Sequence, residues 1–417
     1  MPHGASSDWY CATLGHRARH AGWRANCKLE PFEHPRFGPA LCVRVGAGGG
    51  VAAGTELTVD YAHLADLAPQ AWPRWYASHV AQRNEDGYYA QLRLGPPSVL
   101  FCYASPVGHG AVEVRQHGPW RVLWFERVEQ GMTYHAPDGT LVPEVVGFDY
   151  QRTMVAAAAA LLTPAVRAGF QGGGRGPCAL LVGFGAGSCA AALCAWGGSV
   201  LRVAAVELDD AVLDAAERAH DAQIVRSPLR AGHDHPLRRN RKVKVGDIEV
   251  TVADAGAYVR TAPAGSIEAL LLDAYDSEGR VPAHLQAERF VSDAAAALSP
   301  GGVVVANLFD SSAVARQESK AFGRRLRDAV GPVYALRVVG HEANLVLVAI
   351  KRQTAPYRPL ISADDCASVD AVRRRLTAAA DPDPDAQGAV TVGDRRLDAA
   401  VLACMRSNAQ TCRRFEL

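Results

Sequence analysis

Between residues 88 and 352 apolar runs alternate with alanine-rich amphipathic stretches. Ala179–Val182, Val203–Val206, Glu249–Val252, Ile267–Leu272 and Val303–Leu308 are short and nearly unbroken in their apolar character. Parallel strands covered on both faces read this way. Ser188–Trp196, Ala211–His220, Ala287–Leu298 and Ala313–Val330 read as the intervening helices, and Val333–Val339 and Leu345–Ile350 as a closing strand pair. A helix over Phe148–Leu162, stopped by Pro164, comes before them. Upstream, Tyr89–Leu94, Val99–Tyr103, Ala111–Gln116 and Val122–Glu126 read as strands punctuated by turn residues, which predicts a β-hairpin subdomain over residues 88–150. The predicted fold is α/β: a doubly wound, Rossmann-like sheet of about seven strands over residues 151–352, behind that hairpin subdomain. Residues 1–80 hold β-like runs at Ala40–Val45 and Glu56–Tyr61 around the glycines of Gly46–Gly50. Residues 353–417 read as a helical extension, with helices at Asp364–Ala380 and near Arg396–Ala409 and a breaker run at Asp381–Asp385 between them.

Composition narrows the function classes. Of 417 residues, 49% are hydrophobic and 21% charged, which excludes a mainly disordered or fibrous chain. The formal net charge is +1, so no global basic field exists to hold nucleic acid. The apolar run Met154–Leu162 falls short of the ~20 residues a membrane span needs. The N-terminus shows no basic segment leading into an apolar run, so no secretory signal is expected. The ten cysteines include no C-x-x-C pair, so neither a zinc ribbon nor a dithiol site is signalled, and reduced thiols in the cytoplasm or nucleus fit, with an organellar stroma as a further option.

Chemistry concentrates where strands end. Leu180-Leu181-Val182 runs into Gly183-Phe184-Gly185-Ala186-Gly187 and then into a helix at Ser188. Glycines there let the backbone turn tightly and approach a ligand with no Cβ in the way. Glu207 ends the second strand of the alternation, placed to accept both hydroxyls of a ribose. Asp254 ends the third, placed to accept from an adenine amino group, and Asp273 ends the fourth. Each acid could equally cap the helix that follows it.

This constellation resembles the class I S-adenosylmethionine-dependent methyltransferases and, over residues 88–352, the spermidine-synthase family in particular. Gly147-Phe148-Asp149-Tyr150-Gln151-Arg152-Thr153-Met154 is similar to that family's segment before its first core strand, and Asp273-Ala274-Tyr275-Asp276 to its D-x-x-D loop. The resemblance implies a transferase. Gly183, Gly185, Gly187, Glu207 and Asp254 would hold S-adenosylmethionine or its decarboxylated form. Asp273 would be the general base on an attacking amine and Asp276 a second catalytic carboxylate that orients it. Two departures bear on which group is transferred. The family's aminopropyltransferases carry G-G-G-D-G in the first loop, where the aspartate anchors the donor's amine; here Gly185-Ala186-Gly187 has no acid. The family's D-P-x-G-P after the second aspartate is replaced by Ser277-Glu278-Gly279-Arg280. Three functions stay open: a methyltransferase acting on an amine, which leads; a polyamine aminopropyltransferase; and a non-catalytic nucleotide-binding scaffold.

In residues 1–80, Gly54-Thr55-Glu56-Leu57-Thr58-Val59-Asp60-Tyr61 resembles the closing motif of SET-domain lysine methyltransferases. Upstream, His20, Asn26 and Cys27 match that family's N-H-S-C-x-P-N-C pattern. The resemblance implies that Tyr61 lines a lysine channel. The family's first half has no counterpart ahead of it, so a partial, catalytically silent segment is expected.

His233, Asp234 and His235 lack a further spaced ligand, so no metal is expected, and the basic run Arg238–Lys242 reads as a solvated loop. Trp72, Trp75 and Tyr76 read as a staple to the hairpins. His284, after the D-x-x-D loop, reads as a cleft or capping residue. The expected partners are an amine-bearing acceptor, small molecule or protein, with a homodimer as an option; neither nucleic acid nor a membrane is expected.

Overall fold

A computed structural model describes residues 19–20, 27–34, 38–45, 52–59, 85–172, 176–220, 224–226, 241–245, 248–276, 278–338, 343–352, 369–380, 404, 408 and 412–414. Tyr61, the Trp72–Tyr76 staple, the His233–His235 loop and the Asp381–Asp385 breaker lie outside them, as does most of the Arg396–Ala409 stretch. The chain divides into two compact units, Met1–Tyr76 and Ala77–Leu417.

In the first unit, β1 (Arg19–His20), β2 (Cys27–His34), β3 (Gly38–Val45) and β4 (Thr58–Val59) form a sheet of order β1-β4-β2-β3. The two halves of the SET-like pattern meet there. Arg19 pairs with Thr58, His20 with Val59, and Cys27 also with Val59, all in parallel register. Cys27 and Val59 are buried.

The second unit opens on α1 (Glu85–Leu92), followed by an antiparallel meander: β5 (Ser98–Ala104), β6 (Ala111–His117), β7 (Trp120–Phe125), β8 (Val128–His135) and β9 (Leu141–Val146). The expected strand at Tyr89–Leu94 is therefore a helix through Leu92. Its aromatic residues read as β-formers, but Glu85 and Asp86 begin a helical turn and the Tyr89 hydroxyl donates to Glu85 four residues back, at 3.0 Å. Strands β8 and β9 extend the meander beyond the expected hairpins.

The long helix α2 (Asp149–Gly172) leads into the main sheet. It continues past Pro164, where the sequence predicts its end. Proline removes one backbone bond, and the Ala-rich flanks propagate the helix on either side. Next come β10 (Cys178–Val182), α3 (Ser188–Gly197), β11 (Arg202–Glu207), α4 (Asp210–Ala219), β12 (Ile224–Arg226), β13 (Arg241–Val245) and β14 (Ile248–Val252). The rest of the unit is α5 (Ala255–Thr261), β15 (Ile267–Leu272), α6 (Ala283–Gln286), α7 (Glu288–Ala297), β16 (Leu298–Phe309), α8 (Ala313–Ala329), β17 (Val333–Arg337), β18 (Asn344–Ile350), α9 (Val369–Ala380) and β19 (Arg413–Arg414). The sheet order is β12-β13-β14-β11-β10-β15-β16-β18-β17-β19. Its centre is the doubly wound arrangement. Strands β14, β11, β10, β15 and β16 are parallel, and β18 returns antiparallel to β16.

Alternation along β10 shows how the sheet is covered. Ala179 and Leu181 join the core beneath α2, α3 and α4, with Met154, Leu193 and Val212. Leu180 and Val182 join the opposite core, with Val259, Val291 and Phe322 of α5, α7 and α8. Both faces are apolar, so the strand loses the polar–apolar rhythm of a half-exposed one. From β10 the chain steps outward to β11 and β14, then returns to the other side of β10 at β15. The reversal opens a crevice at the carboxyl end of β10, where open α/β sheets bind ligands. Among the described residues no helix is long and apolar enough to cross a membrane.

Candidate functional site

The crevice is lined by the glycine loop after β10 and by residues ending β11, β14 and β15, around about 870 Å³ of empty volume partly open to solvent. Main-chain bonds hold these strand ends together. The Gly183 N–H donates to Val206 (2.9 Å), Asp273 N–H to Val182 (3.0 Å) and Ala253 N–H to Glu207 (2.9 Å). Gly183 has φ +91°, and a Cβ there would lie 2.3 Å from the Asp273 carbonyl oxygen. The glycine is thus what lets β10 and β15 converge. Gly183→Ala is expected to lower stability by at least the ~1–2 kcal/mol of a left-handed non-glycine backbone. A thermal-unfolding midpoint unchanged from wild type would contradict that.

Gly187 caps α3 at φ +79° and contributes no side-chain cap, so the first N–H groups of that helix are not closed off by a cap side chain. Ala186, between the two glycines, is buried, and Gly131 of β8 packs directly on it. A Cβ at Gly131 would come within 3.0 Å of the Ala186 methyl.

Glu207 is buried, and its carboxylate organises the loop. One oxygen accepts the Phe184 N–H (3.0 Å), and the other accepts the N–H groups of Leu208 (2.8 Å) and Asp209 (3.0 Å). Burial pushes its carboxyl above the usual range, and the N–H groups of Asp209 and Phe184 pull it partly back. Asp254 both caps and lines the cavity. It accepts the Ala257 N–H at the start of α5 (2.8 Å), and its second oxygen lies 2.9 Å from Nε2 of His284 on the same cavity wall.

Asp273 sits on the floor, between two amides. Gln151 of α2 donates to one oxygen and Asn307 of β16 to the other, each at 3.2 Å. Both amides are themselves held: Gln151 accepts from the Ser188 hydroxyl (3.0 Å), and Asn307 accepts from the Asn344 amide (3.0 Å). Burial raises the Asp273 carboxyl to about 6 against the pull of the two amide donors. A carboxylate so placed is basic enough to take a proton near neutrality and is fixed in orientation.

The structure separates Asp276 from this group. One of its oxygens accepts the N–H groups of Glu278 (3.0 Å) and Arg280 (2.8 Å), closing its own loop, and the residue lines a neighbouring groove with Glu278 and Glu318. Gly183, Gly185, Glu207, Asp254 and Asp273 share one cavity, and Gly187 stands at its edge as the helix cap. Sequence reasoning gave no role to Asn307, Asp209 or His109, and none to Gln151 beyond its place in the family segment. Asn307 had a readable signal, a lone amide in an otherwise apolar strand. His109 had none, because it sits in a turn between β5 and β6. Beside Asp273 a second cavity is lined by Glu85, Tyr89, Glu129, Phe148, Tyr150 and Tyr275.

No protein-family model matches the chain. It is 39% identical over 79 residues to the histone-lysine N-methyltransferase SETD7 of Halocynthia roretzi, a stretch of 18% of this chain and 20% of that protein. It is 28% identical over 172 residues to the polyamine aminopropyltransferase of Vibrio vulnificus, 41% of this chain and 49% of that one. The chain therefore spans about half or less of the length of the curated relatives it matches. The probable spermidine synthase of Corynebacterium glutamicum superposes with a TM-score of 0.47 and 15% identity, over 67% of this chain and 86% of that chain. The resemblances to SET proteins and to spermidine synthases each have a counterpart among these.

Proposed function

We propose that the chain transfers a methyl group from S-adenosylmethionine to an amine, with Asp273 as the base. The observation that carries this reading is the Asp273 carboxylate, raised to about 6 and clamped by Gln151 and Asn307 on the floor of the crevice. An amine is protonated in water and becomes a nucleophile only after losing that proton, which Asp273 accepts.

The residues present fit an adenosyl donor. Glu207 can accept from a ribose hydroxyl at the lone pair its three N–H donors leave free, Asp254 can accept from an adenine amino group, and the glycine loop leaves room for the backbone to approach. When bound, the donor supplies an electrophilic carbon on a sulfonium sulfur. The methyl reading is favoured over aminopropyl transfer by the other end of the donor. The α3 terminus lacks a capping side chain, and its N–H groups suit a carboxylate. Ala186, at the position of the family's anchoring aspartate, is apolar and packed under Gly131.

Aminopropyl transfer is favoured by one feature: the cavity beside Asp273 carries two carboxylates, Glu85 and Glu129, among aromatic faces, which suits a multiply charged amine. Competition binding separates the readings. S-adenosylmethionine is expected to bind more tightly than its decarboxylated form. The reverse order would favour the aminopropyltransferase, and binding of neither would favour a non-catalytic scaffold.

A further inference from the structure

We infer that His109 is a recognition residue for the donor's nucleoside: its Nε2 accepts a hydrogen bond from a hydroxyl of the ribose that Glu207 holds. The inference rests on the adenosyl-donor reading but not on which group is transferred.

His109 lies in the turn between β5 and β6 and lines the crevice together with Glu207. The turn is rigidly built. Ser105 N–H donates to the Gly110 carbonyl (2.7 Å), and the Ser105 hydroxyl oxygen accepts from the N–H groups of Val107 (3.2 Å) and His109 (3.1 Å). That hydroxyl in turn donates to Asp209, which is fully buried. The same Asp209 oxygen lies 3.2 Å from Nδ1 of His109. Ser105 thus bonds the carboxylate and not the imidazole, so the trio is a positioning device rather than a nucleophile relay.

Asp209 also caps α4 through the Ala211 N–H (2.8 Å). Burial raises its carboxyl, but the bonds from His109 and Ser105 outweigh that and hold it below the usual range, so it is a carboxylate that can only accept. Nδ1 of His109 must then carry the proton, and in the neutral ring Nε2 is left as a lone pair. Stacking fixes the ring plane: the Phe125 ring lies 4.6 Å away at 14°. Among the described residues Nε2 has no partner. The anchor is contiguous with Glu207, whose carboxylate accepts the Asp209 N–H (3.0 Å). Two acceptors on one rim, Glu207 and His109 Nε2, match a ligand group with two neighbouring donors, and the ribose diol of an adenosyl donor is such a group.

The test uses 5′-methylthioadenosine, the nucleoside common to both candidate donors, and its 2′-deoxy and 3′-deoxy derivatives, titrated calorimetrically into the full chain. His109→Asn keeps a donor for Asp209 and removes Nε2; His109→Phe keeps the stack on Phe125 and removes both nitrogens. Each is expected to weaken 5′-methylthioadenosine binding about tenfold. One deoxy derivative should bind wild type that much more weakly and lose nothing further in either variant. Wild-type affinity in the folded His109→Asn protein, or an equal loss for all three nucleosides, would overturn the inference while leaving the donor site in place. If wild type binds none of the three, the adenosyl reading and the inference fall together. If one variant does not fold, the other decides by the same comparison.

Discussion

Glu207→Ala is expected to abolish measurable binding of the adenosyl ligand. The charge-assisted hydrogen bond to a ribose hydroxyl would be lost, worth ~1.5–3 kcal/mol or on the order of 10–10² in affinity, and the glycine loop that frames the nucleoside would lose the carboxylate that organises it. The structure adds a second consequence. The N–H groups of Phe184, Leu208 and Asp209 all lose their acceptor, and a buried unsatisfied donor costs ~1–3 kcal/mol. The alanine variant should therefore also melt at a lower temperature, because the same carboxylate shapes the glycine loop. Glu207→Gln separates the two effects. Its amide keeps one acceptor for the backbone but turns a donor toward the diol, so the fold should survive better than the binding. Calorimetry with 5′-methylthioadenosine, read beside a thermal melt, checks this. Undiminished affinity in a folded Glu207→Gln protein would mean that the nucleoside sits elsewhere.

Asp273→Asn is expected to cut turnover by ~10²-fold or more, the usual size of a general-base contribution, with donor binding nearly unchanged. In wild type, kcat/KM should fall as pH drops through about 6, because the carboxyl raised to that value becomes protonated and can no longer accept the amine's proton. The variant should lack that acidic limb. Its new N–H₂ must face Gln151 or Asn307, both donors whose far ends are tied to Ser188 and Asn344, so a modest loss of stability is also expected. Full activity in Asp273→Asn on an identified acceptor would mean that the proton leaves by another route. So would an acidic limb that persists in the variant.

What the sequence determined by itself is local. The run Ala179–Val182 is apolar at every position, and that alone predicts a central strand with helices on both sides, as the cores on its two faces show. Glycines that follow it, and acids that end the next apolar runs, put Glu207, Asp254 and Asp273 on one rim, because every parallel strand in such a sheet points its carboxyl end the same way. Tertiary structure decided what no spacing encodes. Gln151 reaches Asp273 across 122 positions, and Ser105 reaches Asp209 across 104. Those contacts exist because α2 and the hairpin sheet fold back over the strand ends. Tyr89 lies in a helix, where its hydroxyl donates to Glu85 one turn back, whereas its aromatic neighbourhood alone reads as strand. Asp276 matches the motif as well as Asp273 does, yet its carboxylate is turned to its own loop. Residue patterns report backbone dihedrals and which face is apolar. Where a polar side chain spends its hydrogen bonds depends on which distant groups the fold brings within 3 Å or so.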